Sequence, residues 1–368
     1  MLLSYYVIIV IATLITLPLA SKKVVFGYPG APQPFTSMAA VSKEEKRMYA
    51  AAFLLIGIML VLLCTFREET LPDYMMYQKN YSNGPSANGS RELEPTFVWM
   101  VAISPTFLWM LAFYAMLSVS TNLYSIYTNS PNIWLSLLLF IPYYFPLHDM
   151  IQIRAAVSCA ILLLSIRYIS ERKWWIFFPL ALIAFLFHYS ASVMFLLYFV
   201  PKKTLNKWIW SAVMLLALAF SFTSFQLGFV AKYIPLEFVQ NYLYNYVGNR
   251  LFTASAVGPI RILKVILIIV MLFNLDTIKK HYPFAPAVLS IYIGSQLCYL
   301  LFADIPVLQG RMGEFLGVSE IFAMAMLPLI SKKHYYILIL LAIAIAIYNG
   351  NEGNILLNTE AVIQRAGN

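Results

Sequence analysis

The sequence predicts an all-α polytopic membrane protein of about ten transmembrane helices and one broken or re-entrant helical hairpin. Of its 368 residues, 61% are hydrophobic and only 11% are charged, which is far from the balance of a soluble domain. Apolar runs of about 18 to 25 residues recur along the chain, and each is long enough to cross a bilayer. Because no polar stretch could build a soluble domain, we expect residues 1–368 to form a single integral membrane domain.

The apolar runs place the transmembrane helices in order along the chain. The first run has no basic segment before it and is followed by Lys22 and Lys23. We therefore expect a span that enters with its N-terminus outside, rather than a cleaved signal peptide. The predicted spans are 3–20, 49–66, 105–124, 132–147, 151–169, 208–226, 259–275, 283–303, 305–330 and 334–348.

Segment 174–200 is apolar throughout, but His188, Tyr189 and Ser190 interrupt it. Each half is long enough for only about 15 to 21 Å of helix, which is short of a full crossing. A hairpin that enters and leaves on the cytoplasmic side keeps the lysines of 202–207 inside, as the positive-inside rule requires. A single long span would place them outside. We therefore expect a hairpin broken at His188, with its irregular backbone lining a cavity.

This topology gives two external loops, at about 67–95 and 226–258. The second contains a section rich in tyrosine and asparagine. Tyrosine at a membrane boundary commonly belongs to an aromatic belt. Alternatively, tyrosines beside polar amides would stack on sugars and hydrogen-bond to their hydroxyls. The candidate substrate-binding residues of the two loops are Arg67, Tyr74, Tyr77, Tyr242 and Tyr246.

Composition and missing motifs exclude several classes of function. The net charge of +9 does not indicate a nucleic-acid partner, because the lysines and arginines cluster beside the spans. Cys64, Cys159 and Cys298 lie in apolar segments without metal-ligand spacing, so we interpret them as buried structural thiols. The sequence has no Asp-x-Asp pair, phosphate-binding loop, dinucleotide fingerprint or zincin motif. We therefore expect no metal, no cofactor and no nucleotide-dependent chemistry.

Four ionisable residues lie in or beside apolar runs, where a charge is costly and therefore indicates a functional site. They are Arg154, His188, Arg311 and Glu314. Arginine suits an anion such as phosphate, because its planar guanidinium is permanently charged and forms bidentate hydrogen bonds. For Arg311 and Glu314, three residues apart on one helix face, the alternative is a structural ion pair. The small residues beside that pair, which permit close helix packing, are Gly310, Gly313 and Gly317.

Two residues are candidates for a general base or for orienting an acceptor. His188 lies at the predicted helix break, although a lone histidine on an apolar helix is more commonly a packing residue. Asp73 lies in the first external loop and faces the same compartment as the arginines, although most loop aspartates are only solvated or cap a helix. The sequence leaves the choice between them open.

Three basic residues, Arg250, Arg261 and Lys264, lie around the outer end of a predicted span. Basic residues are normally scarce on that side of the membrane. Binding of an anionic lipid headgroup or a pyrophosphate would explain them, and we treat them as candidate substrate-binding residues. The alternatives are a different topology, or side chains that snorkel to the interface.

The order of short motifs along residues 60–330 resembles the EpsG branch of the Wzy-type polysaccharide polymerases. Each motif is weak alone, and their order and spacing carry the resemblance. The approach to Asp73 departs from the family pattern, which is rich in glycine and threonine there, because this chain has Glu69-Thr70-Leu71-Pro72. The matching motifs are Arg67 with Asp73-Tyr74 and Tyr77, Glu94-Pro95-Thr96-Phe97, Ile153-Arg154-Ala155-Ala156, Phe187-His188-Tyr189-Ser190-Ala191, and Arg311 with Glu314-Phe315.

The resemblance implies a GT-C-like enzyme of the bacterial cytoplasmic (inner) membrane, with its active site facing the periplasm or the cell exterior. Such an enzyme lengthens O-antigen, capsule or exopolysaccharide by moving a growing chain from undecaprenyl pyrophosphate onto the next lipid-linked repeat unit. The implied partners are undecaprenyl-pyrophosphate-linked oligosaccharide, membrane lipids, a chain-length regulator and a flippase.

On this hypothesis the transfer is metal-independent and inverting. Arg154 and Arg311 stabilise charge on the leaving pyrophosphate, Asp73 or His188 acts as the base, and Glu314 positions Arg311. An O-antigen ligase would use the same donor, but it typically carries a larger periplasmic loop. A flippase or transporter for lipid-linked sugars would need cavity-lining charges without a general base.

Overall fold

The computed structural model describes residues 43–84, 93–201, 204–223, 258–302, 308–331 and 333–357. Within these ranges every regular element is helical and no strand occurs, which confirms the all-α class. The predicted first span at 3–20 and most of the predicted loop 226–258 lie outside the described residues.

The first half of the bundle contains seven α-helices and a π-helix. One long helix and two short helices precede the two long helices that form its centre. In chain order they are α1 Lys43–Thr65, α2 Tyr74–Ser82, α3 Pro95–Ile103, α4 Phe107–Asn129, α5 Ile133–Leu139, the π-helix Phe140–Ile151, α6 Ile153–Glu171 and α7 Trp174–Phe187.

The second half continues with shorter helices and ends in one long helix. A 3₁₀ turn at Tyr189–Val193 follows α7, and a short π-helical turn at Leu308–Met312 precedes α13. The α-helices are α8 Met194–Leu197, α9 Lys207–Phe220, α10 Pro259–Phe273, α11 Leu275–His281, α12 Ala285–Leu301, α13 Gly313–Gly317, α14 Glu320–Ala325 and α15 Tyr335–Leu357.

Four helical stretches are both long and apolar enough to cross a membrane, which supports a membrane protein. They are Phe107–Asn129, Ile153–Glu171, Gln309–Leu329 and Tyr335–Glu352. Shorter apolar helices occupy Ala50–Thr65, Trp174–Phe187, Lys207–Phe220 and Ala285–Leu301. The total of ten spans and the GT-C-like arrangement stay predictions.

Two predicted elements take a different form in the structure. The span predicted at 132–147 is α5 followed by the long π-helix, which contains Pro142 and Pro146. Proline has no backbone N–H and disrupts the regular α-helical ladder, and irregular turns of this kind commonly lie beside functional sites. The predicted external loop 67–95 is not wholly irregular, because α2 forms inside it.

The hairpin predicted at 174–200 is present. Helix α7 ends at His188, whose backbone is extended, and the 3₁₀ turn then reverses the chain. The returning segment packs on α7 through aromatic rings, with Phe178 stacked on Phe195 at 6.3 Å between centroids. The two ends of the hairpin lie together, as the hydrogen bond of 2.6 Å from Arg172 Nη2 to the Val200 carbonyl shows.

Helix α6 lies at the centre and packs against α4, α7, α12, α13 and the π-helix. Ser158 and Ser165, which share one face of α6, point into the bundle interior, since both residues are fully buried. Close packing also occurs at α13, where a Cβ on Gly313 would lie 3.1 Å from the Tyr299 ring on α12. The predicted small-residue stripe therefore holds at Gly313 and also at Gly317, which abuts Ser295, but not at the more open Gly310.

Candidate functional site

A buried ion pair between Glu94 and Arg154 forms the base of the site. Glu94 precedes Pro95, which starts α3, and Arg154 lies in the first turn of α6. One guanidinium nitrogen of Arg154 donates to Glu94 Oε2. The rings of Tyr77 and Phe97 flank the guanidinium, with centroids 5.5 and 5.4 Å from its Cζ atom. Such rings stabilise a cation that has lost its water.

His188 binds the other oxygen of the same carboxylate. Its Nδ1 atom lies 2.7 Å from Glu94 Oε1, and its Nε2 atom lies 3.3 Å from Ser190 Oγ. Burial would raise the pKa of the Glu94 carboxyl, but the hydrogen bond from His188 and the charge of Arg154 outweigh it and lower this pKa to about 2. Glu94 is therefore a carboxylate shared between a histidine and an arginine.

The helix break at His188 is held open by side chains of neighbouring helices. The last carbonyls of α7 need hydrogen-bond donors, and the Ala184 carbonyl accepts from the backbone N–H of His188 at 2.9 Å. Ser158 on α6 donates to the Ala184 carbonyl at 2.7 Å, and Thr96 on α3 donates to the Leu186 carbonyl at 2.8 Å. The position of His188 is thus fixed by the two elements that also supply Arg154 and Glu94.

Arg311 reaches His188 from the opposite side. It lies in the π-helical turn Leu308–Met312, which packs on the 3₁₀ turn after His188. Its Nη1 atom lies 3.5 Å from His188 Nε2, at the long limit of a hydrogen bond. The Arg311 side chain is exposed, unlike the largely buried Arg154. An exposed guanidinium retains donors that an anionic ligand could accept.

The hydrogen-bond partner of Glu314 is Gln152 and not Arg311. Its Oε2 atom lies 3.5 Å from Nε2 of Gln152, the residue between the π-helix and α6. The ion pairs within the described part of the chain do not include Arg311 with Glu314. Arg311 and Glu314 therefore do not form the structural ion pair that was the alternative.

Asp73 lies at the same end of the bundle as the two arginines. Its side chain is exposed, and it precedes α2 in the left-handed region with φ of 65°. A non-glycine residue in that region is uncommon and costs conformational energy. Desolvation by the surrounding protein raises the pKa of the carboxyl, and the charges of Arg311 and Arg154 oppose this rise. Asp73 is thus within electrostatic range of both.

The remaining residues predicted from the first loop differ in their surroundings. Tyr77 is buried under Arg154, whereas Tyr74 is half-buried and packs edge-on against Phe107 at 5.4 Å. Arg67 is buried and donates to the backbone carbonyls of Cys64 and Met150. Arg67 therefore connects the end of α1 to the π-helix. Its assignment to substrate binding stays a prediction.

Arg261 and Lys264 form a second cationic group on α10. The Arg261 guanidinium stacks 3.9 Å over the Tyr299 ring, and its Nη1 lies 3.4 Å from Gln296 Oε1. Lys264 forms an ion pair of 2.8 Å with the buried Glu320. The other predicted residues of this region, Arg250, Tyr242 and Tyr246, lie outside the described residues.

The sequence interpretation missed several polar residues that the structure brings into contact with the predicted ones. Glu94 belongs to a quoted motif but was given no role, although a carboxylate directly before a proline-started helix is a recognisable signal. Gln152, two residues before Arg154 in sequence, was likewise assigned no role. Glu320 lies in an apolar run and carried the same signal of cost as Glu314.

No group of three or more His, Cys, Asp or Glu side chains within the described ranges is placed to hold a metal ion. What the arrangement offers instead is an imidazole between a carboxylate and an exposed guanidinium. This combination suits proton transfer beside a developing negative charge.

A comparison with protein families gives one finding. The sequence profile of the EpsG family matches residues 50–351, which is well over half of the chain. Comparisons with curated proteins and with solved structures give no match. The matched region contains every one of the contacts described above.

Proposed function

Because the match covers most of the chain, the chain belongs to the EpsG family, and on this premise we propose that it polymerises lipid-linked oligosaccharide repeat units. Family membership and the apolar helices together support a membrane polysaccharide polymerase. The finer proposal is transfer of a growing glycan from undecaprenyl pyrophosphate to the non-reducing end of the next lipid-linked unit. The active site would face away from the cytoplasm in a bacterial inner membrane.

The observation that carries this proposal is the contact of His188 with both Glu94 and Arg311. A glycosyl transfer from a pyrophosphate needs a group that accepts a proton from the attacking hydroxyl and a cation near the leaving group. The two nitrogens of one imidazole lie 2.7 Å from a carboxylate oxygen and 3.5 Å from a guanidinium nitrogen. One cluster therefore offers a candidate for each role.

In the proposed step the acceptor hydroxyl oxygen attacks the anomeric carbon of the donor. The bond from that carbon to the pyrophosphate oxygen breaks, and the electron pair leaves with the pyrophosphate. The hydroxyl proton passes to the base, which is His188 or Asp73. Attack opposite to the leaving group gives inversion at this carbon.

Arg311 is the residue best placed to stabilise the leaving pyrophosphate, because it is exposed beside the imidazole. A fixed donor aimed at developing charge in a water-poor site contributes about 3 to 4 kcal/mol, on the order of a hundredfold or more in rate. Glu314 lies one turn further along the same segment and would help to orient Arg311 through its charge. Arg261, whose guanidinium stacks over Tyr299, would bind a second anionic group.

The test is the gel profile of surface glycan from cells that lack this chain. We expect a ladder to collapse to a single capped repeat unit, and an intact copy to restore it. Arg311→Ala should fail to restore the ladder, and Arg311→Lys should restore it poorly because the fork geometry is lost. Arg47→Ala, which removes an exposed arginine near the start of α1, is the matched control and should restore it fully.

Other outcomes would assign a different function. Long lipid-linked polymer that never reaches its final carrier would indicate a ligase. Repeat units that accumulate on the cytoplasmic side would indicate a flippase, and the roles of His188 and Arg311 in transfer would be wrong. A full ladder from the Arg311→Ala strain would remove this residue from the mechanism.

A further inference from the structure

Glu94 connects two functional groups through one carboxylate. Oε1 lies 2.7 Å from His188 Nδ1, and Oε2 forms the ion pair with Arg154. The residue is only 4% exposed, so it has little contact with bulk water. Glu94 has no access to a substrate of its own, and any influence on the reaction must pass through the residues that it binds.

The contacts around the His188 imidazole are compatible with only one of its two neutral tautomers. An ionised carboxylate only accepts hydrogen bonds, so His188 Nδ1 must carry a proton. On the other side, the Arg311 guanidinium only donates, and it lies 3.5 Å from Nε2. Ser190 Oγ, 3.3 Å from the same nitrogen, is also able to donate. Nε2 is therefore the unprotonated nitrogen, and its lone pair accepts the weak hydrogen bonds from these donors.

We propose that Glu94 is a positioning residue for the transfer reaction, holding His188 in the tautomer whose unprotonated Nε2 faces the reaction space beside Arg311. This inference rests on the proposed function and deepens it, because it selects His188 rather than Asp73 as the general base. Asp73 is exposed and has a left-handed backbone conformation directly before α2, whereas His188 is fixed by contacts on both ring nitrogens.

The proposal also changes the role of Arg154. This arginine pairs with Glu94 and is flanked by the Tyr77 and Phe97 rings, so it acts through the carboxylate. Without Arg154, the uncompensated carboxylate would favour a second proton on His188 and convert the base into an acid. The sequence hypothesis that Arg154 binds the pyrophosphate directly is replaced by a positioning role.

The proton follows a defined path in this arrangement. Nε2 takes the proton from the acceptor hydroxyl as the new glycosidic bond forms, and the electron pair of the broken bond leaves with the pyrophosphate. The imidazolium that results is stabilised by the adjacent Glu94 carboxylate, as in other carboxylate–histidine pairs. It returns its proton to water after the product leaves.

The first measurement is a double-mutant cycle in membranes that contain the full chain, with lipid-linked repeat units as substrate. We expect Glu94→Gln to lower the polymerisation rate about a hundredfold or more, the scale of general-base catalysis. The double variant Glu94→Gln, His188→Gln should be no slower than His188→Gln alone, because Glu94 acts through His188. Independent, multiplying losses would contradict the proposal.

The pH profile distinguishes positioning from simple structural damage. The charged groups that surround the imidazole are Glu94, Arg154 and Arg311, and the titratable His148 of the π-helix is also within electrostatic range. Removal of the carboxylate leaves only cations, so the acidic limb of the rate profile should shift to lower pH in Glu94→Gln. Glu171→Gln is the matched control, since Glu171 also pairs with basic side chains but lies at the other end of α6. It should leave both rate and limb unchanged, and an unshifted limb in Glu94→Gln would overturn the role.

A spectroscopic measurement on the wild-type protein does not depend on activity or on how well a Glu94 variant folds. The chain has four histidines, so ¹⁵N spectra of histidine-labelled protein in nanodiscs are tractable. The His188 signals are those that disappear in His188→Gln. Near neutral pH we expect a protonated Nδ1 and an unprotonated Nε2. The opposite tautomer in the wild-type protein would overturn the role of Glu94. It would leave the polymerase function standing if the strain that lacks the chain still loses its ladder.

Discussion

At the scale of single residues, buried charges in this bundle are matched by partners from distant parts of the sequence. Lys264 on α10 lies 2.8 Å from Glu320 on α14, and that carboxylate also accepts from Tyr292 and Asn349. Glu320 is 1% exposed. A buried ion pair contributes little net stability, but loss of one partner leaves the other charge uncompensated in a dry interior.

This contact predicts that Lys264→Met destabilises the protein by about 3 to 5 kcal/mol. The cause is the unpaired Glu320 carboxylate, so the double variant Lys264→Met, Glu320→Gln should recover much of the loss. Thermal unfolding of the detergent-solubilised protein measures both. If Lys264 instead contacts substrate, as its position beside a predicted outer boundary suggested, activity would fall while the unfolding temperature stays near that of the wild type.

At the scale of elements, the functional groups lie where helices stop or become irregular. Glu94 precedes the start of α3, His188 follows the end of α7, and Arg311 lies in a π-helical turn. Backbone groups released at such points must be satisfied inside the protein, because no water is available in the hydrocarbon core. Thr96 provides this for the Leu186 carbonyl at the end of α7, and Ser158 adds a second donor to the Ala184 carbonyl. Irregular backbone and function therefore coincide.

The hairpin makes a prediction about topology. Arg172 contacts the Val200 carbonyl, and Tyr198 Oη donates to the Arg172 carbonyl at 3.1 Å, so both ends of the segment lie together. Cysteines introduced as Lys173→Cys and Pro201→Cys should be labelled from the same, cytoplasmic side by a membrane-impermeant reagent. The three native cysteines are buried, which keeps the background low. Labelling of the two positions from opposite sides would show a single crossing instead.

At the scale of the whole molecule, the site draws its residues from most of the length of the chain. Arg154 and Glu94 are 60 residues apart, and Arg311 and His188 are 123 residues apart. Helix α6 brings them together because it packs on α4, α7 and α13 at once. Small residues such as Ala155, Ala156 and Ala160 allow this close packing.

The stability of the whole fold should depend on acid pH through Glu94. Its pKa falls from 4.5 to about 2 on folding, so the folded state binds this proton less tightly than the unfolded state. The stabilising contribution is complete above about pH 4.5 and is lost as the pH falls toward 2. Melting temperatures over this range should drop less steeply in Glu94→Gln than in the wild type. Equal slopes would show that other carboxyl groups dominate.

The sequence predicted those parts of this protein that follow from composition and local pattern. Long apolar runs require helices in a bilayer, and the polar break at His188 in a segment too short for two crossings predicted a hairpin. The cost of a buried charge identified Arg154, His188, Arg311 and Glu314 as candidates. The sequence did not separate α5 from the π-helix, because both lie in the same apolar run. Only the two prolines indicated the irregularity.

The apolar runs and the charges within them determined, from the sequence alone, that this chain is helical, membrane-embedded and has ionisable residues inside it, because those properties depend on the transfer cost of each residue type. Only the tertiary structure decided which of these residues meet. Glu94 lies 94 positions from His188 in the chain, yet their side chains share a hydrogen bond of 2.7 Å. Such pairings depend on how α3, α6 and α7 pack, and no local pattern specifies the distance between side chains on separate helices.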